Sequence, residues 1–239
     1  MKISPRLRKI LKLIVIVLLP IGLQTFAASR SKKRAVKDVY VDHQSADMYI
    51  TDDAVRRMVL NNSRFSTQIG LLELDEIEKL LDNHAMVEKS EVFCTIDGVL
   101  NVSVKQRQPI ARIYENGKFF YMDSQGKQMP LSDSFSARVP LIMGNITQKN
   151  WEKTYELIQF IEKDEFLSKN VTSIKVKADD EYEFRMRVAN FVVIWGDMEN
   201  IEQKKANLKA FYKQMEKSKT LNVYKIVNLK YSNQVVCTK

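Results

Sequence analysis

The sequence predicts an α+β protein: a membrane-spanning N-terminal helix, a β-α-α-β-β domain, and a mixed antiparallel β domain carrying two helices. Three observations predict it. A cationic start runs into an uncharged apolar stretch. Beyond it, apolar spacing switches repeatedly between period 2 and period 3.6, the marks of strand and helix. Asp97-Gly98 and Asn116-Gly117 each separate two alternating runs, where a tight hairpin needs residues tolerant of positive φ. The 239 residues are 45% apolar and 28% charged, which excludes wholesale disorder and a many-span membrane protein.

The formal charge of +9 is confined to one end. Residues 1–37 hold ten Lys and Arg and no acid, leaving 28 basic against 29 acidic residues from Asp38 onward. A nucleic-acid-binding body carries its own cationic surplus to neutralise phosphates, so that class of partner is excluded for the body. Lys2, Arg6, Arg8, Lys9 and Lys12 precede the run from Leu13 to Leu23. Taken as one helix, 10–28 is close to the roughly 20 residues that cross a bilayer, with Lys12 snorkelling. This reads as an anchor after a cytoplasmic tail at 1–9. A signal peptide cut at Ala27 or Ala28 is the alternative. Both readings place Asp38 to Lys239 outside the cytoplasmic membrane, because a long C-terminal body translocates largely regardless of flanking charge. Residues 29–37 read as a basic tether.

The first domain spans 38–108. Val36 to Val41 is a strand, and Thr51 caps a helix carrying Val55, Met58, Val59 and Leu60. Asp75 caps a second helix through Ile77, Leu80 and Leu81. Val92, Cys94 and Ile96, then Leu100, Val102 and Val104, alternate on either side of Asp97-Gly98 as a hairpin. Cys94 is expected on its buried face.

The second domain spans 109–239. Ile110 to Glu115 and Lys118 to Asp123 form a hairpin across Asn116-Gly117. Thr147 caps a helix whose Trp151, Thr154, Tyr155, Ile158 and Ile161 share one face. Val171 to Lys177, Tyr182 to Arg187 and Phe191 to Trp195 form an antiparallel meander. Asn200 caps a helix with Ile201, Leu208, Phe211, Tyr212 and Met215 inward, and Val223 to Tyr231 closes the chain as a strand.

No chemistry assembles from these residues. The seven glycines are scattered singly, so neither a dinucleotide fingerprint nor a phosphate loop is present. His43 and His84 are the only histidines and neither lies near a cysteine in sequence, which leaves no zinc spacing; a Ser or Cys nucleophile would have to use one of them as base, and no strand-turn-helix nucleophile elbow is present; both read as ordinary surface or loop residues. Asp179, Asp180 and Glu181 read as a solvated turn between strands. Cys94 and Cys237 do not make a disulfide framework. The expectation is a binding protein without catalytic residue, cofactor, metal or small-molecule substrate. A cell-wall hydrolase using two of the 29 acids is the enzymatic rival.

One set of residues resembles a known family. Gln106, Arg107, Gln108, Pro109, Ile110 and Ala111, then Tyr121, Asp123, Gly126 and Pro130, then Val139, Pro140 and Gly144, follow the pattern of FtsQ/DivIB-type bacterial cell-division proteins. Gly196-Asp197, the helix with Lys204, Lys205 and Leu208, and the closing Ile226 to Tyr231 follow it too. Two departures are Gln106-Arg107, where the family often has Glu-Arg, and Asn228-Leu229-Lys230, where it often has an acid, Leu and Arg. The resemblance implies that the first domain is POTRA-like. It further implies a non-enzymatic divisome scaffold in the cytoplasmic membrane at the septum, with the N-terminus inside and the body on the periplasmic side. Its partners would be FtsB-like and FtsL-like proteins and the septal peptidoglycan-synthesis machinery. A sheet-edge strand leaves N–H and C=O groups free for one more strand. By analogy with the family, Tyr224, Ile226, Asn228, Lys230, Tyr231 and Asn233 are expected to face the partner. The alternative is a secreted or periplasmic POTRA-containing assembly or transport module.

Overall fold

The computed structural model describes residues 5–32, 35–61, 68–69, 72–231 and 234–239. Helix α1 covers Pro5–Lys32. It runs through the first residues of the expected tether, while residues 1–4 and 33–34 lie outside the described ones. Ile14 to Leu19 project exposed from it, before Pro20, Gly22 and Gln24 interrupt the apolar run. Among the described residues no helix is long and apolar enough to cross a membrane. The span expected over 10–28 is thus seen as helix but not as a membrane crossing. The chain divides into two compact units, Met1–Gln106 and Arg107–Lys239.

In the first unit, β1 (Asp38–His43), α2 (Asp52–Leu60), α3 (Leu74–Asp82), β2 (Val87–Cys94) and β3 (Val99–Gln106) follow in that order. The sheet order is β1-β3-β2, with β1 parallel and β2 antiparallel to β3. Period-2 alternation puts Val39, Val41, Val92, Leu100, Val102 and Val104 on the buried side, with Val55, Val59, Ile77 and Leu81 of the helices also in the core. Thr51 Oγ1 accepts from Ala54 N at 3.3 Å, as an N-cap should. Asp75 does not cap α3: the helix starts at Leu74, and Asp75 lies in its first turn. Two later α3 acids reach the sheet. Asp82 Oδ1 accepts from Ser90 N at 2.6 Å and Glu78 Oε1 from Val92 N at 2.7 Å, so the outer amides of edge strand β2 are already occupied.

Two expectations about single residues fail here. Cys94 ends β2 half-buried, and Ile96 is 84% exposed, because the turn closed by Gly98 N on Thr95 O lifts Ile96 to its tip. His43 is no surface residue. Its ring is buried between Asp52 Oδ1, 2.8 Å from Nε2, and Gln106 Nε2, 3.2 Å from Nδ1. Buried Gln106 also accepts from Ile50 N at 2.9 Å and donates to Asp47 O at 2.9 Å. That pairing needs an amide, with a donor and an acceptor on one side chain, which gives a physical reason for glutamine where the family often has glutamate.

The second unit is built on one sheet. Its strands are β4 (Pro109–Glu115), β5 (Lys118–Asp123), β6 (Gln128–Met129), β7 (Leu141–Gly144), β8 (Val171–Val176), β9 (Tyr182–Met186), β10 (Val192–Gly196), β11 (Ile226–Asn228) and β12 (Val236–Thr238). Their order in space is β12-β11-β10-β9-β8-β7-β4-β5-β6. The β4–β5 hairpin turns on Asn116 and Gly117 at φ 48° and 80°. The β8-β9-β10 meander is antiparallel. The sheet as a whole is mixed, since β4-β7, β7-β8 and β10-β11 are parallel.

Helices α4 (Trp151–Lys163), α5 (Glu165–Asn170) and α6 (Ile201–Lys217) share one core with the sheet. Leu157, Ile158, Ile161, Leu167, Leu208 and Tyr212 meet Ile113, Ile142, Ile174, Phe184, Val193 and Val227 there. The helix expected from Thr147 begins four residues later, because 147–150 form a turn in which buried Asn150 Oδ1 accepts from Thr147 N at 2.8 Å. Helix α5 is a third helix where two were expected. Asp164 creates it by accepting from Phe166 N and Leu167 N at 3.1 and 3.0 Å.

Asp164 also binds Lys209 Nζ at 2.6 Å and lies 3.7 Å from Lys205 Nζ, so it ties α5 to α6. Burial by itself would raise its carboxyl pKa. The hydrogen bonds from Lys209 and Leu167 N, with both lysine charges, outweigh burial and hold it below the ordinary value. A depressed folded pKa contributes stability above the unfolded value of about 3.9 and loses it as pH falls through the folded value. The denaturation midpoint is therefore expected to fall on acidification below about pH 4, and to fall less for Asp164→Asn. Equal acid sensitivity of the two proteins in denaturant titrations would remove Asp164 from this role.

Candidate interaction surface

The closing strand is shorter than expected and does not lie at the edge. Of Val223 to Tyr231 only Ile226–Asn228 is strand, parallel to β10 on one side and antiparallel to β12 on the other. The chain reverses after Leu229, and Val236–Thr238 takes the outermost place. The sequence did hold a signal: Val235, Val236 and Thr238 are β-branched and follow the turn-forming Ser232-Asn233. Asn233 itself lies outside the described residues.

The remaining expected partner-facing residues do not form one face. Val227 and Leu229 enter the core, which leaves Ile226 and Asn228 on the opposite side, half-buried. Tyr224 precedes the strand, with its ring 6.0 Å from Phe211 of α6. Lys230 is exposed and its Nζ pairs with Glu181, while Asn228 Oδ1 accepts from Lys230 N at 3.0 Å. Tyr231 is 50% exposed and lines a small cleft of about 70 Å³ with Asn200, Lys204 and Lys230.

This cleft marks the junction of β10, β11 and the start of α6. Asn200 adopts a left-handed conformation at φ 51° and ψ 34° and gives the helix no side-chain cap, contrary to the expectation. Lys204, on the first turns of α6, is only 6% exposed, which sequence reading missed. It donates to Asp197 Oδ1 at 2.8 Å and Asp197 O at 3.0 Å. That hydrogen bond holds the Asp197 carboxyl below its usual range. Gly196, at φ +77°, lies against the Lys230 side chain, whose Cγ an added Cβ would meet at 2.8 Å. The 179–181 turn is not merely solvated: Asp180 pairs with Lys153 at 3.1 Å and Glu181 with Lys230. Two of its three acids are engaged with the scaffold, and Asp179 is exposed.

Among the described residues no cluster of three His, Cys, Asp or Glu could hold a metal. Cys94 and Cys237 are free thiols, each raised in pKa by burial. The two ends of the large sheet differ. At β6 Arg107 Nη2 donates to Gln128 O at 3.0 Å. At β12 no further strand of the described residues lies outside Val236–Thr238.

These features define a class: a two-unit α+β protein whose second unit presents an open sheet edge beside a cluster of ion pairs. The family model described as FtsQ/DivIB, C-terminal related matches residues 108–238, and the chain belongs to that family. Its role is therefore in cell division, in a family of non-enzymatic, membrane-anchored division proteins. None of the curated proteins matches the chain.

Proposed function

We propose that this protein is a single-pass, N-in scaffold of the divisome. Helix α1 anchors it, the first unit is a POTRA-like domain, and both units stand on the periplasmic side at the septum. It binds FtsB-like and FtsL-like proteins and through them reaches septal peptidoglycan synthesis, without catalysing a reaction. The observation that carries this reading is the outer edge of β12. Backbone groups there accept one more strand, and backbone pairing supplies affinity while neighbouring side chains supply choice. Ile226, Asn228, Lys230 and Tyr231 stand beside that edge, with Val236 and Thr238 on it; Tyr224 braces the strand against α6. The outer amides of β2 and the carbonyl of Gln128 on β6 are already engaged by side chains, which favours the β12 end.

Cross-linked affinity isolation from host membranes tests this with wild type, Val236→Pro, and the pair Asn228→Ala, Tyr231→Ala, each shown to melt like wild type. Proline is what native edge strands use to refuse a further strand. Wild type is expected to recover small single-pass coiled-coil division proteins and Val236→Pro to lose them. Recovery of none by wild type would overturn the division-scaffold reading in favour of a secreted assembly module. Equal recovery by all variants would leave the scaffold and remove the edge.

A further inference from the structure

The first unit exposes its large apolar side chains mostly toward one end. Among the described residues of 35–106 these are Tyr40, Met48, Leu60, Phe93 and Ile96. Apolar residues scattered singly over a surface are ordinary, but four of these five lie together. Two ion pairs show that α2 runs antiparallel to β1: His43 Nε2 is 2.8 Å from Asp52 Oδ1 at one end, and Arg56 Nη1 is 3.1 Å from Asp38 Oδ1 at the other. Leu60, one turn beyond Arg56, therefore extends about 6 Å past that second pair. Strand register brings the β2–β3 tip to the same end, since Asp38 is paired with Val99, and Tyr40 with Asn101, whose other neighbour is Phe93. Met48 alone stands at the opposite end, in the connection between β1 and α2.

The apolar end is where the chain arrives from α1. Helix α1 ends at Lys32, and Ala35 bridges Gln68 three residues later, a step that even a fully extended chain holds to about 11 Å. Lys37 N then donates to Gly98 O at 2.8 Å, and a Cβ added to Gly98 would meet Ala35 O at 3.0 Å. The incoming chain thus lies against the hairpin tip itself. Ile96, two residues from that contact, is 84% exposed.

We infer that the β2–β3 tip, with Leu60 beside it, is a lipid-contact site: Ile96 enters the apolar boundary of the bilayer that holds α1, and Tyr40 and Phe93 stand at headgroup level. Phe93 is three residues before Ile96, about 10 Å along the strand. The headgroup layer is roughly 5–8 Å deep on each side. With Ile96 about 5 Å below the acyl boundary, a depth that interfacial elements reach, Phe93 and its row partner Tyr40 fall in that layer, the level that amphipathic aromatic rings favour. Charge adds little. Lys37 and Asp97 flank the tip, both exposed and opposite in sign, and Asp38 is paired with Arg56. Apolar area therefore carries the contact, and a zwitterionic surface suffices. The inference rests on the reading of α1 as a membrane anchor, and it adds a second hold on the bilayer, made by the folded unit.

The test uses the full chain reconstituted in phosphatidylcholine vesicles, with or without bromine on the acyl chains, and reads depth from the quenching of single added tryptophans. Leu18→Trp reports α1, Ile96→Trp the tip, Phe93→Trp the row behind it and Met48→Trp the opposite end. Each variant is shown to melt like wild type, and the wild-type signal is subtracted to remove Trp151 and Trp195. Quenching is expected to take most of the added emission of Leu18→Trp and Ile96→Trp, less of Phe93→Trp and none of Met48→Trp. At Ile96→Trp it should persist in about 1 M salt, where charge attraction is screened, and fall when Leu60→Asp is added. Quenching of Leu18→Trp without Ile96→Trp would overturn the inference and leave the anchor in place, whereas quenching of neither would remove both. Equal quenching of Ile96→Trp and Met48→Trp would show that the unit turns no particular end to the lipid, which also overturns it. A blue shift of Ile96→Trp that grows with protein density and comes without quenching would assign the tip to a second copy of the chain.

Discussion

Asp123→Ala is expected to remove a large part of the stability of the second unit. The Asp123 carboxylate is almost wholly buried and serves three donors at once: Arg107 Nε at 2.7 Å, Lys127 N at 2.7 Å and Gln125 N at 3.0 Å. It closes the turn after β5 and holds the guanidinium that also binds Gln128 O on β6. Truncating one partner of a buried ion pair costs about 3–5 kcal/mol because the other charge stays in place without it. Set against a typical total of about 5–15 kcal/mol, that loss is visible as a large fall in denaturation midpoint. Arg107→Met in the Asp123→Ala background should recover part of it, since the remaining charge is then removed as well. A midpoint within experimental error of wild type for Asp123→Ala would show the pair to be dispensable. Arg107, Asp123, Gly126 and Pro130 were drawn from the family pattern, and the structure gives the first two a reason: they lock the β5–β6 corner.

Gly144→Ala is expected to be of comparable severity for a different reason. Gly144 ends β7 at φ +112°, and an added Cβ would lie 2.1 Å from Val176 O on the neighbouring strand. That oxygen has little freedom to retreat, because Asn145 N donates to it at 2.9 Å. Strand β7 sits between β4 and β8, so a shift propagates into both halves of the sheet. Backbone strain and overpacking together are expected to cost roughly 3 kcal/mol or more. Gly117→Ala is the matched control. Gly117 has a similar positive φ of +80° with open space around it, so only the left-handed cost of about 1–2 kcal/mol applies. Chemical denaturation of the two variants measures the difference, and equal losses would mean that the close approach to Val176 contributes nothing.

Much of the architecture was legible because it depends on near neighbours. Both glycine hairpins, the alternation of β8 and β9, the Thr51 cap and the apolar faces of α4 and α6 follow from spacings of two to four residues. The errors share a cause as well. Strand β7 has four residues and α5 six, too few for a period to declare itself. Lys204 is buried on α6 only because Asp197, seven positions earlier, is placed beside it, a pairing that no helical period shows. The candidate site suffered most, since Ile226 and Asn228 were legible as one strand face while their neighbours Val192, Ile194 and Val236 come from strands far apart in the chain.

The sequence by itself determined the partition of charge into a cationic end and a neutral body, the α+β class, the hairpins and the core faces of the long helices. Only the tertiary structure decided that β7 lies between β4 and β8, that β12 covers β11, and that α3 acids close the edge of β2. Local hydrogen bonding and side-chain periodicity act over a few residues and can be read from their order. Strand neighbours are chosen by burial summed over the whole unit, and a final strand of three residues takes the sheet edge because the reversed chain finds its backbone partners there and nowhere nearer in sequence.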